Sequence, residues 1–445
     1  MNVLNHYLLV SRQSNPCKGG IIMIVKQIPY GISNYKTIIS EGYAYVDKTM
    51  YISLLEQYGH YLLFVRPQRF GKSLFTSMLG YYYDIAEKDN FDLLFSNMDI
   101  GRNPTKNKNA YYVLKFDFSS IEMDSYEVML ESFAKKMHNM LFQFCARYNL
   151  DITLEMGSPG EQLSHLFTQF TACQQRGLVN SDAKIYVIID EYDNFFANEF
   201  IDFLPGNKHN NPKRLNNTAS ENRFLRVWYE VLNEGTKTLV DRIFITGVFP
   251  IALESGFKIS QNLSLDSEFN EMMGFTRAEV EQLIEETISD EVPVDFMDTL
   301  TYNYSGYSFS EDGRERVFHT TLVLYYLQHY HQKHKPPRNL LDQHTFNYYR
   351  ELEDLFTSNK PQEKIDLVHE LVFENKYTTA IFKNEFFSGQ KFNEESFKSL
   401  LFYLGLLTIK ERELGWLRLK IPNYAMTELY FPYCLKSMTG YSHFF

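Results

Sequence analysis

The sequence predicts an α/β fold built on a parallel sheet, and three observations carry that prediction. An apolar run, Tyr61-Leu-Leu-Phe-Val65, leads through a short basic loop into a helical pattern that begins near Lys72. A second apolar run, Tyr186-Val-Ile-Ile, ends in two adjacent carboxylates, Asp190 and Glu191. Further apolar runs alternate with helical stretches between and beyond these two. Strands that are apolar throughout are those buried on both faces, as in a parallel sheet flanked by helices.

The first junction reads Phe64-Val-Arg-Pro-Gln-Arg-Phe-Gly-Lys-Ser73 and ends in the Gly-Lys-Ser of a phosphate-binding loop. Such a loop needs a strand before it and a helix after it, so that exposed N–H groups and the helix dipole face the phosphate. Both are expected here, with Leu74, Met78, Tyr81, Tyr82 and Ile85 at helical spacing. Lys72 would reach the terminal phosphates, the Ser73 hydroxyl would ligate Mg²⁺, and Gly71 would let the backbone approach closely. Arg66 stands where the first glycine of the loop belongs, Pro67 stiffens its start, and Arg66 and Arg69 place positive charge beside it. The expected nucleotide cradle is therefore Arg66, Pro67, Gln68, Arg69, Phe70, Gly71, Lys72, Ser73 and Leu74.

The second junction has the form called Walker B, in which Asp190 holds Mg²⁺ and Glu191 polarises the attacking water. An acidic turn after a buried strand is common by itself. An acidic strand end that follows a Gly-Lys-Ser loop in the right chain order points instead to a P-loop NTPase core of the AAA/ASCE kind, binding ATP and Mg²⁺. Between the two junctions, Tyr112 to Ser119 reads as a half-exposed strand. After them, Arg242 to Gly247 reads as another, and Asn262 to Asp266 as a fifth. Thr246 stands where a sensor group would contact the γ-phosphate, and equally where a β-branched residue closes a strand. The expected catalytic set is Glu191, Lys72 and Thr246, and the expected metal ligands are Ser73 and Asp190.

Beyond the sheet, Gly274 to Ile284 reads as a helix with Thr276 and Glu279 as a capping box, and residues 275–335 as a helical lid over the nucleotide. A basic, proline-broken linker follows at 331–338. Asn393 to Gly405 reads as a helix, and Leu406–Lys410 with Trp416–Ile421 as a hairpin, together resembling a winged helix. Lys398, Lys410, Arg412, Arg418 and Lys420 would give it a basic face, but Glu394, Glu395, Glu411 and Glu413 dilute it. Packing or protein interaction is favoured over DNA contact, which needs concentrated positive charge. The organisation expected is an extension at 1–22, an ATPase core at 23–274, a lid at 275–335 and a C-terminal domain at 336–445.

Composition limits the alternatives. The net charge of −11 gives no global field to draw nucleic acid. The four cysteines form no CxxC pair, which disfavours a disulfide framework or a zinc site and fits a reducing cytoplasm. No run of 18 apolar residues exists, so no membrane helix is expected. The N-terminus lacks a convincing cleavage site for a signal peptide. The histidines form no HExxH, and His329, His331 and His334 beside the linker are expected to be solvated.

The segments Ile28–Thr49, RPQRFGKS at 66–73, LKFDFS at 114–119, IIDEYD at 188–193, TGVFPIA at 246–252, GFTRAEV at 274–280, YSGYSF at 304–309 and IPNYAMTELY at 421–430 together resemble the bacterial and archaeal AAA-ATPase-like proteins. Arginine in place of the first loop glycine is a habit of that family. The resemblance implies an ATP-binding domain with Lys72, Ser73, Asp190 and Glu191 in the roles above. Val46-Asp-Lys-Thr49 is a further family signature, for which contact with the base is one expectation. Many relatives continue into a nuclease-like domain. The end of this chain offers no Asp…Glu-x-Lys set, so no DNA cleavage is expected of it. Two readings follow: an ATPase that converts its cycle into domain movement, or a slow nucleotide-dependent switch that recruits a partner or assembles with itself. Arg242, Arg277 and Arg314 are the candidates for an arginine finger, from the same chain or a neighbouring one.

Overall fold

A computed structural model describes residues 25–122, 125–195, 223–251, 260–289, 291–310, 316–351, 361–374, 377–381, 385–386 and 393–439. Arg314 lies outside them. The apolar runs form a parallel sheet of β1 (Tyr61–Val65), β2 (Tyr111–Asp117), β3 (Lys184–Asp190), β4 (Val240–Gly247) and β5 (Gln261–Asn262). Their spatial order is β2-β3-β4-β1-β5, so β4 separates the strand before the loop from the strand with the two carboxylates. This α/β architecture is compatible with a P-loop NTPase. The fifth strand is shorter than expected. The Asn262 carboxamide oxygen accepts from the N–H and hydroxyl of Ser264 and turns the chain out of the sheet.

Helices α1 (Tyr35–Ser40) and α2 (Met50–Tyr58) precede β1, and α3 (Lys72–Tyr83) follows the loop. The buried face of α3 is Phe75, Met78, Leu79, Tyr82 and Tyr83. It is rotated from the expected one: Leu74 and Tyr81 are half-buried and Ile85 is exposed, because the chain leaves the α-helix at Asp84. Between β2 and β3 run α4 (Tyr126–Arg147) and α5 (Pro159–Gln175), and α6 (Arg223–Gly235) leads into β4.

After the sheet come α7 (Arg277–Thr287), α8 (Phe296–Tyr304) and α9 (Thr320–Lys333). The expected capping box starts α7: Thr276 Oγ1 accepts from Glu279 N, and Glu279 accepts from Thr276 N at 2.7 Å. The linker histidines are not merely solvated: His331 contacts the Thr287 carbonyl at 3.0 Å and His329 that of Lys335 at 2.9 Å. Next are α10 (Gln343–Glu351), α11 (Pro361–Phe373), β6 (Thr378–Ala380), α12 (Glu394–Tyr403), β7 (Thr408–Glu413), β8 (Trp416–Lys420) and α13 (Tyr424–Thr439). The hairpin of β7 and β8 forms around Leu414 and Gly415, both at positive φ, as a two-residue turn requires, and β6 adds a third strand.

The glutamates expected to dilute the basic residues here pair with several of them. Lys398 is buried, donates to the Thr379 carbonyl and pairs with Glu394, while Arg418 is held by Glu411 and Glu413.

Several contacts join segments far apart in the chain. A Cβ on Gly306 would stand 2.1 Å from the Pro422 carbonyl oxygen, so only glycine lets the 304–309 turn seat against the 421–430 segment. Asn423 then donates to the Ser305 carbonyl. Lys48 reaches across to α7, giving its ammonium to both Glu279 oxygens (2.6 and 2.8 Å) and to the Glu271 carbonyl. Asp47 accepts from Thr49 and from the N–H of Asp99, so the 46–49 signature joins segments rather than standing free. Removing one partner of a buried, hydrogen-bonded charge pair strands the other. Lys48→Met is therefore expected to cost about 2–3 kcal/mol of stability. A urea titration checks this, and an unchanged midpoint contradicts it.

Candidate nucleotide site

The loop between β1 and α3 owes its shape to a buried arginine. Arg66 is 1% exposed, with Nη1 of its guanidinium donating to the Val65 and Ser264 carbonyls and Nη2 to that of Phe269. It lies between the rings of Phe64 and Phe309, at 4.1 and 4.2 Å from their centroids. Burial pulls its pKa down to about 9. This corrects the expectation that Arg66 adds charge beside a phosphate: its charge is directed at carbonyls. Pro67 is likewise buried, against Gly405.

The rest of the loop, Gln68 to Leu74, lines a cavity of about 550 Å³. Gly71, at φ 97°, is the N-cap of α3 and supplies no side-chain cap, so the first N–H groups of the helix are left for another acceptor. That is the fit an anionic phosphate needs. The Lys72 ammonium lies folded back on the carbonyls of Arg66 and Pro67, both at 3.1 Å. Loop and lysine thus have the donors for a triphosphate.

Across the cavity stands Glu191, in the left-handed region at φ 53°. Burial raises its pKa, Asp190 and Asp117 add to the rise, and Lys72 opposes it. Asp190 is 3% exposed and is not part of the cavity wall. It is joined to the loop through Thr76, whose hydroxyl stands 3.0 Å from the Ser73 carbonyl and 3.3 Å from Asp190 Oδ2. Thr76 was not singled out from the sequence; its place one turn after Ser73 is the only signal for it. Among the described residues no group of three His, Cys, Asp or Glu is arranged to hold a metal alone. Ser73 and Asp190 suit Mg²⁺, which commonly relies on one or two protein oxygens together with phosphates.

Thr246 does not join this set. Its hydroxyl, fully buried, donates to the Phe64 carbonyl at 2.7 Å across β4 and β1, and it is not part of the cavity wall. Of the arginine candidates, Arg242 donates to the Gly59 carbonyl at the other end of the strands, and Arg277 is bound on the surface to Glu281 and Asp298.

The remaining walls come from the 28–49 segment and from residues after the sheet. Pro29 to Ser33, Val46 and Lys48 form one, and Met272, Met273, Leu283 and Leu324 give an apolar patch. Asn194 also reaches the cavity and donates to the Phe118 carbonyl.

Behind Glu191 lies Asp193, 4% exposed. Its Oδ2 accepts from the N–H groups of Val248 and Phe249 (2.9 and 2.8 Å), whereas Oδ1 is buried without a partner. A Cβ on Gly247 would come within 2.1 Å of Oδ1, so glycine alone permits this approach. Burial, with Glu191 next, raises the Asp193 pKa to about 7. A carboxyl that holds its proton more tightly when folded withdraws stability as pH rises from about 4, its ordinary value, to about 7. Asp193→Asn keeps an acceptor for the two N–H groups and is expected to lose less stability than wild type between pH 5 and 7.5. Urea midpoints of both proteins at the two pH values check this, and equal losses contradict it.

A family model described as predicted AAA-ATPase matches residues 29–257, just over half of the chain, and spans the loop, Asp190, Glu191 and Thr246. No curated protein matches the chain. With strand, loop, helix and paired carboxylates in the expected order, the chain belongs to the AAA-ATPase-like family of predicted ATPases.

Proposed function

We propose that the protein binds Mg·ATP with its triphosphate at the N-terminus of α3 and hydrolyses it. One observation carries the reading: Lys72, Ser73 and Glu191 converge on one cavity, while Thr76 ties Asp190 to the same helix. Lys72 leaves its two carbonyl partners for the β- and γ-phosphate oxygens and holds them as a point charge. Bound Mg²⁺, held by Ser73 and through water by Asp190, would neutralise charge on the phosphates. Glu191 orients the attacking water; its raised pKa and its nearness to Lys72 suit a group that must take up a proton. The apolar patch of Met272, Met273, Leu283 and Leu324 would receive the base.

The loop is also held by later parts of the chain. Thr321 donates from its N–H and its hydroxyl to the Arg69 carbonyl, and Thr320 donates to that of Phe70. Phe70 packs against Tyr307, Phe309 and His319. A change at the phosphates therefore reaches α9 directly, which supports coupling of nucleotide state to the C-terminal half and to a protein partner there. The neutralised Lys398 and Arg418 argue against direct DNA contact.

Wild type at ATP concentrations of ~100 times the dissociation constant is expected to gain ~2.7 kcal/mol of stability. Lys72→Ala should gain none in the same thermal-shift series, and equal gains would contradict the assignment. Glu191→Gln should keep ATP binding and lose most turnover, because its contribution lies in the transition state. Turnover at the wild-type rate would instead favour the switch reading.

A further inference from the structure

Arg69 stands apart from the rest of the loop. It is a non-glycine residue in the left-handed region (φ 66°), a conformation that persists only where the surroundings impose it. The surroundings here are Thr320 and Thr321, which hold the carbonyls of Arg69 and Phe70 and so fix the root of the Arg69 side chain. Arg69 lines the cavity with Lys72 and Glu191, and among the described residues it is the arginine in that wall. Its ionic partner is Asp342, with Nη1 at 3.5 Å from Oδ1. That separation is well beyond the roughly 2.7–2.9 Å of a strong charged hydrogen bond. The Arg69 side chain keeps 30% of its exposure, whereas that of Asp342 keeps 3%.

Asp342 has closer partners than Arg69. Its Oδ1 accepts from the N–H groups of His344 and Thr345 (3.0 and 3.1 Å), and its Oδ2 from the Thr345 hydroxyl at 2.6 Å. Those bonds cap α10 and satisfy the carboxylate whether or not the arginine stays. The ion pair is thus long, partly hydrated on the arginine side, and the longest of several polar contacts on the carboxylate side. It holds a planar donor fork, suited to phosphate oxygens, beside the cavity.

We infer that Arg69 is the arginine that stabilises the transferring phosphoryl group, supplied by the chain itself, and that it exchanges Asp342 for the γ-phosphate when ATP is bound. This rests on the proposed ATP site. The exchange makes the arginine sensitive to the third phosphate: ADP leaves it on Asp342, ATP draws it away from the start of α10. Its backbone stays bound to α9 throughout, so only the side chain moves.

The test titrates fluorescent ATP and ADP analogues with Mg²⁺ into wild type, Arg69→Ala, Arg69→Lys and Asp342→Asn, and measures turnover of each. Arg69→Ala is expected to bind ADP as wild type does, to lose the preference for ATP over ADP, and to turn over at least about 10²-fold more slowly, given the roughly 10³–10⁵-fold that such arginines contribute. Arg69→Lys keeps stem and charge without the fork and should lose most of the turnover too, which keeps the test decisive if the alanine variant folds poorly. Asp342→Asn retains the cap and frees the arginine, so ATP binding should tighten while ADP binding stays the same. Wild-type turnover and nucleotide preference in the two Arg69 variants would assign the residue to loop packing alone. ATP binding unchanged or weakened in Asp342→Asn would overturn the exchange. Failure of wild type to bind either nucleotide would overturn the underlying site instead.

Discussion

A guanidinium taken out of water must find acceptors that are already fixed, and the position of Arg66 follows from that requirement. It obtains them from Val65 at the end of β1, from Ser264 beyond β5 and from Phe269, while Phe64 and Phe309 cover its two faces. Leaving such a charge unpaired would be strongly destabilising, so the strand end, the 264–269 turn and the 304–309 turn are held in one relative arrangement. The main chain at Arg66 is fixed by the same contacts, its N–H donating to the Gly247 carbonyl and its own carbonyl accepting from Lys72. The loop does without its first glycine because its start is built by a side chain anchored in the core.

The site follows from that anchorage. With the start of the loop set, Gly71 brings the chain into α3 and leaves the helix N-terminus without a side-chain cap. β4 lies between β1 and β3, so Thr246 bonds to Phe64 instead of reaching the cavity, and Gly247 makes room for Asp193. Asp117 and Asp190 are direct neighbours in the β2–β3 register, and Glu191 follows them. Three carboxylates collect at the carboxyl ends of adjacent strands, with Lys72 the opposing charge. Such an accumulation is unfavourable by itself. Burial and these neighbours raise the Glu191 pKa, and a carboxyl perturbed in this way inside a cavity is a candidate functional group.

Much of this was legible in the sequence, for physical reasons that differ by element. Continuous apolar runs gave β1, β3 and β4 because strands buried on both faces leave no room for alternation. The α7 capping box was legible because its two side chains answer each other over three residues. The role of Arg66 was not, since two of its three acceptors lie about 200 residues downstream and nothing local distinguishes a buried arginine from a phosphate-facing one. Thr246 was open between two roles, and a single cross-strand bond to Phe64 separated them. Lys398 read as a surface charge because a helix pattern does not reveal that β6 covers it. Asp193 was quoted within its motif but not weighed, because its effect depends on burial and on the approach of Gly247.

In the proposed complex the phosphates take the place that the loop carbonyls hold around Lys72. A crystal structure with Mg²⁺ and a non-hydrolysable ATP analogue measures this directly. It should place the β- and γ-phosphates at the N–H groups of Gly71 to Ser73, with the Lys72 ammonium moved from Arg66 and Pro67 onto them and the Arg66 guanidinium unmoved. A triphosphate bound elsewhere, or a Lys72 that keeps its carbonyl partners beside a bound nucleotide, would contradict it.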